Sequence, residues 1–208
     1  MRRPGTRRRS LRPITIGDLV LAGYERLAMR AVIHDGSRRA ARFARFGTGS
    51  VICFPPTALY GEAGIRIGRD ALLGPHLSLS AGIAPGQDLI SDAIVTIGDR
   101  CLIGRHSSIV GHFSITIGDD VFFGPNVYVT DQNHGVERLD LPIGRQSEPE
   151  RPVTIGAGSW LGTNTVVLPG VTIGRHVAVG AGSVVTGDLP DNSVAAGVPA
   201  RVIRMIGE

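Results

Sequence analysis

Residues 153–204 read VTIGAGSWLGTNTVVLPGVTIGRHVAVGAGSVVTGDLPDNSVAAGVPARVIR, and their spacing decides the fold. Stepping by six from Ile155 lands on Leu161, Val167, Ile173, Val179 and Val185, all of them branched aliphatics. Four residues after each comes a small or aliphatic side chain: Ser159, Thr165, Val171, Val177, Ser183 and Leu189. Glycine follows the aliphatic at Gly156, Gly162, Gly174 and Gly180. A period of six matches neither the 3.6 of a helix nor the alternation of a hairpin strand. It matches a short strand and a corner, repeated. Three such units close one triangular coil, and stacked coils hydrogen-bond to one another.

Working upstream, the same grid returns at Ile117, Phe123 and Val129, at Ile97, Ile103 and Ile109, and at Ile67, Leu73 and Leu79. Coils about 4.8 Å apart make six or seven of them a prism roughly 30 Å tall. The grid breaks around Pro55, Pro56 and Thr57, and again over 81–95, which reads as a degenerate coil. A two-residue slip separates Ile109 from Ile117, and the longest interruption runs over 130–152. Insertions in a solenoid leave as loops on one face, often the working one.

The composition agrees with many tight corners around a core of small aliphatics: 29 glycines in 208 residues and only 5% aromatics. Residues 19–45 lack the hexad and read as a helical N-terminal cap. The organisation expected is a basic, disordered tail over 1–13, a cap over 14–45, the β-helix over 46–192 and a closing segment over 193–208. No run of about 18 apolar residues is present, so no transmembrane helix is expected. Nor does an apolar stretch follow the first arginines as in a signal peptide, and the protein is read as cytoplasmic. The formal charge of +4 owes much to MRRPGTRRRSLR at the start; without an accompanying aromatic platform, no nucleic-acid partner is expected. Cys53 and Cys101 read as packed small hydrophobes rather than a bridge.

The repeat and the 153–204 stretch resemble the hexapeptide-repeat acyltransferases, specifically their maltose and galactoside O-acetyltransferase branch, over about residues 46–206. The resemblance implies an all-β solenoid whose coil is left-handed, against the usual preference for right-handed crossovers. It also implies a homotrimer with sites between prisms, and acetyl-CoA as donor with no metal. The expected reaction is acetyl transfer to a sugar or glycan hydroxyl.

Thioester acyl transfer needs a base, an oxyanion donor and a grip on CoA. His134, in VYVTDQNHGVE inside the long interruption, lies where the family places its catalytic histidine. An imidazole titrates near neutrality, so it can take the acceptor proton and return it to the leaving thiolate. Asp131 and Asn133 flank it and are candidates to orient the ring or the acceptor. His106 and His112, six apart, are further acceptor-side candidates expected to stack near the active loop. By the resemblance Trp160 packs beside substrate or pantetheine. The backbone at Gly162 and Thr163 receives the thioester, with an N–H as oxyanion donor. Ala181, Thr186 and Gly187 follow the pantetheine arm, and Arg201 and Arg204 grip phosphates, a task suited to the guanidinium fork. Gly187 stands where the family often has lysine. The GRHSSIVGHFSITIG stretch departs from the galactoside enzymes, so the acceptor is placed only at the level of a sugar hydroxyl. Three other readings stand beside this one: an N-acyltransferase on an amino sugar or amine, a non-catalytic β-helix that binds partners, and a prism carrying zinc on three histidines, as in γ-type carbonic anhydrases.

Overall fold

A computed structural model describes residues 13–208. Residues 1–12, which carry the expectation of a disordered basic tail, lie outside the described residues. Three sheets wrap a prism. The tryptophan face has nine strands, whereas the threonine face and the loop face have six each. Pairing along the prism is parallel; antiparallel pairs occur where Ile33–His34 meets Val51–Ile52 and where Ser193–Gly197 meets Ala200–Met205.

The hexad aliphatics form three columns. Ile67, Ile97, Ile117, Ile155 and Ile173 pair in register down the threonine face. Leu73, Ile103, Phe123, Leu161 and Val179 do so down the tryptophan face. Leu79, Ile109, Val129, Val167 and Val185 complete the loop face. All fifteen are at most 1% exposed. Each therefore gives nearly its full transfer free energy, roughly 1.5–3 kcal/mol per side chain. The grid survives each interruption because the extra residues leave at corners.

Where the position four after an aliphatic carries a hydroxyl, it can bridge coils. Ser159 Oγ donates to the Gly174 carbonyl at 3.0 Å and accepts from Val177 N–H at 3.0 Å. Ser50 repeats this with Gly68 and Ala71. Glycine is obligatory where coils nearly touch: a Cβ on Gly124 would sit 2.7 Å from the Thr163 nitrogen.

Three excursions leave the corner between the loop face and the threonine face. The stretch read as a degenerate coil is the first. Strand Ser78–Ala81 ends at that corner and Val95–Ile97 begins the next, and both pair normally with the coil below. Residues 82–93 are thus a loop and not a coil. The slip at 112–114 and the segment 131–152 leave at the same corner.

At the N-terminal end, helix α1 (Ile16–Arg30) is opened by a capping box between Thr15 and Asp18. None of its residues is buried, so it does not cover the core as a cap would. That cover comes from the following segment, where Ile33, Ala40 and Phe43 are buried and Phe43 meets Phe46 edge-on at 5.2 Å. Among the described residues no helix is long and apolar enough to cross a membrane.

Candidate active site

Asp131 is the anchor of the long loop. It follows strand Tyr128–Thr130 and is fully buried. Its Oδ2 accepts from the N–H groups of Phe113 at 2.9 Å and Ser114 at 2.7 Å. The His112 N–H reaches Oδ1 at 2.9 Å and Oδ2 at 3.1 Å. Its own carbonyl accepts from Arg151 N–H at 2.9 Å. One residue thereby fixes both ends of the loop and the neighbouring corner. Inside the loop, Gln146 is a second clamp. Its Oε1 accepts from Arg138 N–H, and its Nε2 donates to the carbonyls of Arg138 and Leu141. Gly135 N–H donates to the Gln146 carbonyl, and His134 pairs with Ser147 as an isolated bridge.

This scaffold presents an exposed His134 whose backbone N–H is held by Asn133 Oδ1 at 2.9 Å. His134 and Asn133 look into a cavity of about 530 Å³, whose other walls include His112, Glu150, Tyr60 and Val110. The His112 side chain is only 11% exposed, with Nδ1 3.5 Å from Glu150 Oε1. The volume lies in the range of small-molecule sites and leaves room for a sugar ring.

The predicted residues do not all meet here. Asp131 was expected to touch the acceptor or the ring of His134; its carboxylate is instead spent on backbone N–H groups beneath the site. His106 was expected near the loop and stacked with His112. It occupies a left-handed corner at φ +60° and stacks on His76 at 4.6 Å, at the opposite edge of the loop face. His176 takes a similar corner at φ +57°.

That opposite edge gathers much of the expected donor site. Trp160 lies on the outer tryptophan face, 48% exposed, in register between Phe122 and Ala178. Gly162 and Ala181 adjoin across successive coils, since a Cβ on Gly162 would meet the Ala181 nitrogen at 2.6 Å. The Gly162 N–H donates to the Val179 carbonyl at 2.8 Å, which removes it as an oxyanion donor. The Thr163 N–H is tied to no acceptor among the described residues and is left for that role. Arg201 and Arg204 are exposed on strand Ala200–Met205; each donates only to a neighbouring backbone carbonyl, and neither has a carboxylate partner among the described residues. Thr186 and Gly187 follow strand Val184–Val185, across the loop face from Ala181.

Several wall residues escaped the sequence reading. Tyr60 arrives from three coils above, in register with Ser80, which in turn pairs with Val110. That ladder was available by carrying the hexad grid past its breaks. Glu150 and Ile83 come from excursions, where no periodicity locates them. Among the described residues, no three His, Cys, Asp or Glu side chains converge as a metal-ligand set.

A stacked-hexad prism with a histidine on a pinned corner loop is the architecture of a hexapeptide-repeat transferase, and comparison with known proteins agrees. A model described as bacterial transferase hexapeptide (six repeats) matches residues 152–187, and one described as hexapeptide repeat of succinyl-transferase matches 94–131. A putative lipopolysaccharide biosynthesis O-acetyl transferase of Escherichia coli is 31% identical over 191 residues, covering 88% of this chain and 89% of its own. The galactoside O-acetyltransferase of the same organism is 36% identical over 151 residues, covering 73% and 68%. Among solved structures, AntD, an N-acyltransferase from Bacillus cereus, superimposes with a TM-score of 0.72 at 21% identity, over 86% of this chain and 91% of that one. The chain belongs to the hexapeptide-repeat acyltransferase family, in its maltose/galactoside O-acetyltransferase-like branch. Its prism is the family's left-handed parallel β-helix, and it is an acyltransferase.

Proposed function

We propose that the protein transfers an acetyl group from acetyl-CoA to a hydroxyl of a sugar or glycan, with His134 as general base. The observation that carries this reading is the placement of His134 on a doubly pinned loop, facing a sugar-sized cavity. His134 takes the acceptor proton as the oxygen attacks the thioester carbonyl. The tetrahedral oxyanion is met by the Thr163 N–H. Collapse breaks the C–S bond, and the imidazolium returns its proton to the CoA thiolate. A base of this kind contributes about 10²–10⁴-fold in rate.

Trp160 and Ala181 flank the pantetheine arm, with Thr186 and Gly187 further along it, and Arg201 and Arg204 take the phosphates. Asn133 and His112 face the acceptor. Because Thr163 and Ala181 lie at the edge of the loop face opposite His134, a donor groove on one copy meets the acceptor cavity on another, in the homotrimer that the family resemblance implies.

The O-transfer reading is favoured by the relatives at 31% and 36% identity, both O-acetyltransferases by name. An amine acceptor is the second reading. It is supported by a perosamine N-acetyltransferase structure from Caulobacter crescentus in complex with CoA and GDP-perosamine, at 26% identity and a TM-score of 0.52. The two readings separate on the product. With a sugar panel and acetyl-CoA, O-transfer yields an ester cleaved by mild hydroxylamine. A product that survives hydroxylamine establishes N-transfer and overturns the first reading.

A further inference from the structure

We propose that α1, with the arginine-rich stretch preceding it, anchors the protein in the plane of an anionic phospholipid bilayer. This inference does not depend on the acyl-transfer reading. At 100° per residue, Ile16, Val20, Leu21, Tyr24 and Leu27 fall on one side of α1; all four charged residues, Asp18, Glu25, Arg26 and Arg30, lie on the other, interspersed with Leu19 and Met29. The helix is locally well made, with both arms of its capping box in place, yet it buries nothing against the prism. Val20 is 67% exposed and Leu27 57%, so the apolar side faces outward as a continuous stripe. An exposed stripe of this kind marks an interaction surface. At 15 residues the helix is about 22 Å long, too short to cross a hydrocarbon core of about 30 Å, and the length suits lying flat.

Charge identifies the partner. Six of the chain's 22 basic residues fall within the first twelve positions, and no Asp or Glu precedes Asp18. The rest of the chain carries 16 basic against 18 acidic residues, so this stretch alone makes the protein basic. All 22 are arginine, whose fork pairs with phosphate oxygens in two places. An amphipathic helix beside a polybasic stretch is the combination that holds a protein reversibly on an anionic membrane, where either alone is marginal. A second copy of this chain would bring a like-charged stretch against the first. A nucleic acid would have no use for the apolar stripe.

The test is co-sedimentation of the full chain with phosphatidylcholine vesicles, with and without phosphatidylglycerol, at low and high salt. The proposal expects binding that requires phosphatidylglycerol and weakens with salt. It should fall at least roughly tenfold for Val20→Asp/Leu27→Asp and for Arg7→Ser/Arg8→Ser/Arg9→Ser. Melting temperatures should be unchanged, because Val20 and Leu27 are exposed and α1 has no buried residue. Failure to bind phosphatidylglycerol vesicles at low salt overturns it, as does wild-type binding by Val20→Asp/Leu27→Asp. A loss of assembly mass for that variant in light scattering would instead assign the stripe to a second copy, and would overturn it too.

Discussion

Replacing Asp131 should do more damage than its place beside a catalytic loop suggests. The carboxylate is fully buried and is the acceptor for the N–H groups of His112, Phe113 and Ser114. Asp131→Ala strands three donors in a partly buried corner, at about 1–3 kcal/mol each. Relaxation of the exposed Phe113 side and entry of water return part of this, so about 3–5 kcal/mol is expected overall. At roughly 2–4 °C per kcal/mol for a chain of this size, the melting temperature should fall by about 6–20 °C. Asp131→Asn keeps one acceptor but turns an amide NH₂ towards the donors, and should lose about half as much. The released corner also carries His112, so activity measured well below the new melting point should drop in both variants. Differential scanning calorimetry on the three proteins settles it. Melting of Asp131→Ala within about 2 °C of wild type would refute the pinning argument.

Phe123 sits in the middle of the tryptophan-face column between Ile103 and Leu161, with nothing to refill its space. Phe123→Ala should cost about 3–5 kcal/mol in urea unfolding. Burial pushes the Cys101 thiol up to about 11. Its folded pKa therefore exceeds the unfolded value, and the folded state holds a proton that the unfolded state releases. Stability should be level below about pH 8.5 and decline as pH rises through 11, a loss that Cys101→Ser should reduce. Titration with a thiol reagent at neutral pH should leave Cys101 unmodified until the protein unfolds. Arg201→Ala with Arg204→Ala should raise KM for acetyl-CoA about tenfold or more with little change in kcat, and a shortened thioester lacking the nucleotide should not feel the change.

The prism was legible because each inward aliphatic repeats every six residues, and insertions leave at corners without disturbing the columns. Over 81–95 the hexad fails, and the failure alone does not distinguish a worn coil from a loop; the structure carries 82–93 as a loop, with Leu89 and Ile94 still packed on the core. Asp131 beside His134 looks like an orienting pair when read along the chain. The reason it is not is three-dimensional, since the carboxylate turns inward to a corner 17–19 residues earlier. Of the two N–H groups expected as oxyanion donor, the repeat itself disqualifies that of Gly162. The glycine after a column aliphatic donates to the next coil, as at Gly98, Gly104 and Gly124. Tyr60 and Glu150 were out of reach for different reasons: one is brought in by stacking over three coils, the other by an aperiodic loop.

His134 as the base is tested by thiol release from acetyl-CoA against a panel of sugar acceptors, wild type beside His134→Ala. His134 is exposed, so the variant should fold and melt as wild type does. Release should depend on the acceptor and fall at least about a hundredfold in the variant. Release that is unchanged in a folded His134→Ala protein would contradict His134 as the base.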